Sequence, residues 1–496
     1  MGDLRRVAGP IDLPAEEFRR LGHDLVDQIA DFMDSLPRRP VTTGESPAEI
    51  RAVLGDAALP EHGTPPGELL RDARSLLFEH SLFSGHPRFW GYIVGAPAPI
   101  GALADLLAAS VNPNVGGFQL SPMATEIEAQ TVRWIAELVG FPTGCGGLLV
   151  TGGNMANFIG FVAARTARAG HPIREQGAGQ APLRVYASAE THTWIQKAAD
   201  LFGLGTESIR WIPTDREQRI DMAALEERIR ADRAAGDIPL LVVGAAGTVS
   251  TGAIDPLDAI ADLCEEHGIW FHVDGAYGAF AAALPNAPTQ LRALARADSL
   301  ALDPHKWLYQ PVEAGCALVR DREKLRDAFS YRPVYYHLAH AHQEEEDEPI
   351  NYFELGPQNS RGFRALKVWL ALRQVGRAGY VRMISEDCAL ARELHRLVEA
   401  EPELEVGTTS LSITTFRYVP DSAADGEYLN DLNAELLTRL EAGGEAYLSN
   451  AVIDGRFYLR ACIVNFRTTI DDIRALPGIV ARIGREVDRD LATARR

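Results

Sequence analysis

A chain of 496 residues with 68 acidic side chains against 49 Lys plus Arg carries a formal net charge of −19, which excludes the basic excess that nucleic-acid binding draws on. No run reaches the roughly 20 consecutive apolar residues of a membrane span, and the opening MGDLRRVAGPID has no apolar core of a secretory leader. The five cysteines (Cys145, Cys264, Cys316, Cys388, Cys462) follow neither disulfide nor metal spacing, so the chain reads as a cytoplasmic protein without membrane or nucleic-acid partners.

The first predicted element is a helix over 14–36. Phe18, Leu21, Leu25, Ile29 and Phe32 recur near one face, and Pro37 and Pro40 stop it. A second helical stretch covers about 66–83. Residues 1–85 therefore read as an N-terminal helical arm that cannot bury its own apolar face. From 86 to 375 helices alternate with short β-rich runs, the pattern of a large α/β domain. Three runs are clear: IPLLVVGAAGT at 238–248, GIWFHVDGAYG at 268–278 and ADSLALDPHKW at 297–307. Between the first two lies DPLDAIADLCEEHG. Asp255 is the expected N-cap, Pro256 the first helical position and Gly268 the residue past the end. Strand, helix, strand in that order predicts a parallel sheet. Residues 376–496, with LSITTFRYV and FYLRACIVNF, read as a smaller α+β domain.

Ligands of open α/β sheets gather at the carboxyl ends of the strands. Thr248, Asp274 and Lys306 each follow an apolar run at such an end. Asp274 is equally a helix cap, half of an ion pair, or the partner of a buried cation such as a protonated pyridine nitrogen. Lys306 is either a surface charge or an amine able to form a Schiff base with an aldehyde. Taken together they supply what pyridoxal phosphate requires, an anchor and a pyridinium partner. A phosphate cradle is offered by LLVTGGNMANFIGFVAAR: Gly152 and Gly153 admit close backbone approach, Asn154 offers a donor, and a helix begins there. In SAETHTWIQKAADLFG, His192 stands at another strand-to-helix junction, either a structural hydrogen-bonding residue or, beside the other three pieces, a candidate to stack on the cofactor ring.

These residues carry a resemblance. From EEFRRLGHDLVDQIADFM through HPRFWGY, SPMATEIE, HVDGAYG, DPHKW and SRGFRALKVWL to LRACIVNFRTT, the chain resembles the group II pyridoxal-phosphate-dependent decarboxylases, which act on aromatic amino acids, histidine and glutamate. The resemblance implies fold type I, with a mostly parallel seven-stranded sheet in the large domain, and an obligate homodimer with active sites completed at the subunit interface. It implies Lys306 as cofactor anchor, Asp274 as partner of the pyridine nitrogen and His192 over the ring. It further implies Thr248, Gly153, Asn154, Ala276 and His305 around the cofactor. A loop tyrosine returns the proton to Cα in this family; aligned on the proline of SYRPVYYHLAHAHQEEEDEP it is Tyr335, with Tyr336 next in line. His337, His340 and His342 stand in the same polar, acidic stretch without a partner cluster, so no metal site is expected.

Several positions depart from the animal aromatic decarboxylases. Ser84, Ile93, Gly95, Asn114 and Gly116 replace bulkier residues, which predicts a wider and more polar pocket, and Asp303 replaces an asparagine before PHK. The expected reaction is decarboxylation of an L-amino acid, most simply an aromatic one, to the amine. The alternatives are a non-aromatic substrate or an aldehyde synthase on the same fold. Intact His192 and Tyr335 argue against the synthase. The HPRFWGY and SPMATEIE segments argue against an aminotransferase, and intact Lys306 and Asp274 against an inactive dimer partner.

Overall fold

The βαβ unit read at 238–278 lies at the centre of a seven-stranded sheet. The computed structural model describes residues 11–179, 181–331, 349–420 and 426–494. The sheet comprises β1 (Gly146–Val150), β2 (Leu183–Ser188), β3 (Ile209–Ile212), β4 (Ile238–Ala245), β5 (Trp270–Asp274), β6 (Ser299–Leu302) and β7 (Gly315–Val319), in the order β1-β7-β6-β5-β4-β2-β3. β7 pairs antiparallel with both its neighbours, and the remaining pairs are parallel. β6 is buried throughout and β5 up to Asp274. Helices cover both faces, so the central strands read as continuous apolar runs instead of alternating ones.

Between β4 and β5 the helix Leu257–His267 ends on Gly268 at φ +62° as expected, since the left-handed conformation favours glycine. Asp255 is not its N-cap. Its carboxylate is fully buried and accepts from the backbone N–H of Ile220 and Ala245, each at 2.7 Å. Burial pushes its pKa up to about 6, against the pull of those two donors. Asp255 thus ties β4 to a distant loop, a role set by tertiary position that local spacing does not announce.

A second sheet, β10-β11-β9-β8, is antiparallel and formed by β8 (Leu404–Ser410), β9 (Ile413–Tyr418), β10 (Ser449–Ile453) and β11 (Arg456–Cys462). The long helix Ala365–Glu399 joins the two regions and is interrupted at Gly376, with φ +65° and ψ 168°. At the other end, the helix Ala15–Ser35 buries only Leu21 of its expected apolar stripe. Phe18 is exposed, and Phe32 stacks on Phe78 at 4.2 Å.

Candidate active site

Because β4, β5 and β6 are adjacent and parallel, whatever follows each strand converges at one edge of the sheet. Thr248 lies three residues past β4, Asp274 closes β5, and Lys306 sits in the one-turn helix Pro304–Trp307 after β6. β1 leads through Gly152 into the helix Gly153–Arg168, and β2 leads past His192 into the helix Trp194–Leu201. All of these border one cavity of about 340 Å³. Gly153, Asn154, His192, Thr248, Asp274, Ala276, His305 and Lys306 line it together. Tyr335 and Tyr336, with His337, His340 and His342, lie outside the described residues.

Asp274 is half-buried and held from two sides. Oδ2 accepts from Trp194 Nε1 at 2.7 Å, and Oδ1 accepts from the Ala276 N–H at 3.2 Å. Both oxygens keep a lone pair for a further donor. His192 Nδ1 accepts from the Trp194 N–H at 3.2 Å, which leaves the proton of the neutral ring on Nε2. Burial holds the pKa of His192 below the ordinary imidazole value, despite the opposing charge of Asp274. Lys306 Nζ is 3.1 Å from Asp303 Oδ2, and His305 Nε2 is 3.7 Å from the same oxygen. The Thr248 hydroxyl is already engaged. It pairs with Thr251 Oγ1 at 3.0 Å and accepts from the Ala253 N–H at 3.1 Å.

The cradle requires its glycines. Gly152 sits at φ +117°, and a Cβ on Gly153 would stand 2.5 Å from Asp303 Oδ2. The first intrahelical bond runs from Ala156 N–H to Gly152 O, so the amides before it are free for an anion at the helix N-terminus. A relay that no motif announced supports this turn. Trp270 Nε1 donates to Ser299 Oγ, His272 bridges Ser299 Oγ and Asn157 Oδ1 at 2.7 Å each, and Asn157 Nδ2 donates to Gly153 O. His272 is fully buried, and desolvation depresses its pKa to about 4, so it is neutral. Arg460 also escaped sequence reasoning. It is 3% exposed, bonds Ser449 Oγ and the carbonyl of cavity-lining Val249, and forms no ion pair with a carboxylate among the described residues.

Of the residues expected to widen the pocket, one lies on the cavity wall of the single chain. Ile93 lines the cavity, but Ser84, Gly95, Asn114 and Gly116 do not. A Cβ on Gly95 would lie 2.2 Å from the Lys306 carbonyl oxygen, and one on Gly116 would lie 2.2 Å from that of Asn359. Asn114 Oδ1 accepts from the N–H groups of Gly116 and Arg361. Within the single chain, Gly95 and Gly116 thus stand where backbones abut, and Asn114 ties down a loop.

Residues 47–419 match the pyridoxal-dependent decarboxylase conserved domain. An aromatic-L-amino-acid decarboxylase of Bacillus atrophaeus is 34% identical over 96% of this chain and 97% of its own length. A phenylacetaldehyde synthase of Petunia hybrida is 30% identical over 91% of each chain. Among solved structures, that of Oryza sativa TDC with PLP and tryptamine superposes with a TM-score of 0.88 at 29% identity, covering 97% of this chain and 99% of the other.

Proposed function

The chain belongs to the pyridoxal-dependent decarboxylase family, and on that premise we propose that it converts an aromatic L-amino acid to its amine and CO2. Amino-acid decarboxylation is the reaction class and pyridoxal 5′-phosphate the cofactor. The cavity suits that group. It offers a lysine amine, a carboxylate with free lone pairs, and a glycine turn with unpaired amides at a helix N-terminus. When bound, the cofactor supplies an aldehyde for amines and a protonated ring that withdraws electrons from Cα.

The residues divide the remaining work. Lys306 Nζ is the amine that would hold the cofactor's aldehyde. Asp274, fixed by Trp194, would hold the proton of the ring nitrogen. His192, with its proton on Nε2, would lie against the ring. The amides of Gly153 and Asn154 would receive the phosphate, His305 and Ala276 would lie near the cofactor, and Thr248 shapes the wall through its turn. Tyr335 returns a proton to Cα once CO2 has left. Exposed Phe18, Leu69, Leu70 and Leu77 on the N-terminal helices support a homodimer that covers them and completes the site.

The observation that carries this reading is the presence of Lys306 and Asp274 at the ends of adjacent parallel strands, on one cavity wall. Borohydride reduction of the cofactor-loaded protein, followed by peptide mass spectrometry, should mark Lys306; a mark elsewhere overturns the assignment. A panel of amino acids assayed for CO2, amine, aldehyde and hydrogen peroxide should give amine and CO2 from an aromatic member. Aldehyde with peroxide instead of amine would move the chain to the synthases. Turnover of only non-aromatic members would overturn the substrate class. Sedimentation at a single 54.1 kDa chain with full activity would overturn the dimer.

A further inference from the structure

Lys306 rides on a single helical turn, Pro304–Trp307, too short to hold its own shape. What steadies it comes from elsewhere in the chain. Trp307 and Tyr309, one and three residues past Lys306, are 0% and 1% exposed. Each points its polar atom at the same carboxylate oxygen. Trp307 Nε1 donates to Asp387 Oδ2 at 2.9 Å, and Tyr309 Oη donates to it at 2.6 Å. Asp387 belongs to the helix Ala365–Glu399, beyond the break at Gly376, and is 3% exposed. No lysine or arginine among the described residues forms an ion pair with it.

A carboxylate left in an apolar interior without a cation is costly, and desolvation pushes Asp387 up to about 7. Its hydrogen bonds are therefore what the position supplies. Tyr309 is also in the left-handed region at φ +55°, a conformation that persists in an aromatic residue only where its surroundings over-determine it. Trp307 is fixed on its face as well, stacked on cavity-lining Tyr277 with centroids 4.8 Å apart.

We propose that Asp387 is a positioning residue for the cofactor anchor: by gripping Trp307 and Tyr309 it sets the turn that carries Lys306 against the phosphate cradle and Asp274. The inference rests on Lys306 being that anchor. An amine that must meet a group held at two other points tolerates little displacement, so loss of the grip should appear in cofactor binding.

The test titrates cofactor-free wild type, Asp387→Asn, Asp387→Leu and Tyr309→Phe with pyridoxal phosphate, measures melting temperatures alongside, and maps the borohydride adduct in each. Asp387→Leu strands two buried donors and should weaken cofactor binding by about tenfold or more. Tyr309→Phe should show a smaller loss in the same direction. Asp387→Asn can present a carbonyl oxygen to both donors and should stay close to wild type. Cofactor affinity unchanged in Asp387→Leu, or in Tyr309→Phe should the leucine variant not fold, overturns the proposal even if melting temperatures fall. So does an asparagine variant as poor as the leucine one. With the wild-type adduct on Lys306, such results leave the proposed function standing; an adduct on another lysine overturns both.

Discussion

Asp303 holds Lys306 by one carboxylate oxygen, 3.1 Å from Nζ, while its other oxygen is equally buried and meets no donor. The pair joins the proposed anchor to the glycine turn at the start of the helix Gly153–Arg168, where Asp303 fits only because Gly153 has no Cβ. If the proposed site receives the phosphate, an acid at this place would oppose it and compete for the amine of Lys306.

Asp303→Asn is therefore expected to tighten pyridoxal phosphate binding. Removing one like charge beside the proposed phosphate site is worth on the order of tenfold in affinity. Equilibrium titration of the cofactor-free enzyme measures it. A weaker asparagine variant would show that the ion pair with Lys306 serves cofactor binding more than the charge opposes it.

Asp274→Asn should act on turnover much more than on folding. The amide is nearly the same size and keeps an oxygen for Trp194 Nε1, but it cannot stabilise a proton on the cofactor ring. Loss of a group aimed at developing charge typically lowers kcat by about 10²–10³-fold. Steady-state kinetics with saturating cofactor, beside a thermal melt, separates the two effects; a fall in kcat of less than tenfold would remove Asp274 from the assigned role.

Tyr335→Phe should leave substrate binding in place and cut amine formation by about 10²–10⁴-fold, the worth of a positioned general acid. Some aldehyde, ammonia and hydrogen peroxide should appear, as O2 reaches the substrate before the proton does. The same change at Tyr336 should do far less. The reverse result would shift the loop alignment by one residue.

What was legible in the sequence was what chemistry places at strand ends. Lys306, Asp274 and Thr248 each end an apolar run, and parallel strands bring such ends to one edge. What was illegible depends on contacts distant in sequence. Asp255 has the spacing of an N-cap, yet its partners include the Ile220 amide, 35 residues back. Gly95 and Gly116 look like missing side chains in a pocket; the structure puts backbone carbonyls against them. Trp194 and Asp387 carried no signal. A tryptophan at the start of a helix reads as core, and an acid within SEDC on a long amphipathic helix reads as a solvated charge. Both acquire their roles only when the indole of Trp194 meets Asp274 and the carboxylate of Asp387 meets Trp307 and Tyr309.

The acid sensitivity of the protein should depend in part on His272. It is fully buried between Ser299 and Asn157, and burial lowers its pKa from 6.5 to about 4. Between those values the unfolded chain binds a proton that the folded chain refuses. The stability contributed by the neutral ring is thus complete above about 6.5 and is lost as pH falls toward 4. Replacing His272 by Asn should cost stability at pH 7, since at least one buried hydrogen bond is broken, at about 1–3 kcal/mol. The same variant should lose less than wild type on going from pH 7 to pH 4.5, because it has no imidazole to protonate. Denaturant unfolding of the cofactor-free proteins at the two pH values tests this. Parallel pH profiles for wild type and variant would mean that protonation of His272 plays no part in acid unfolding. A convergence of the two toward low pH is the expected result, and it would also show that the relay behind Gly153 is held by a neutral histidine.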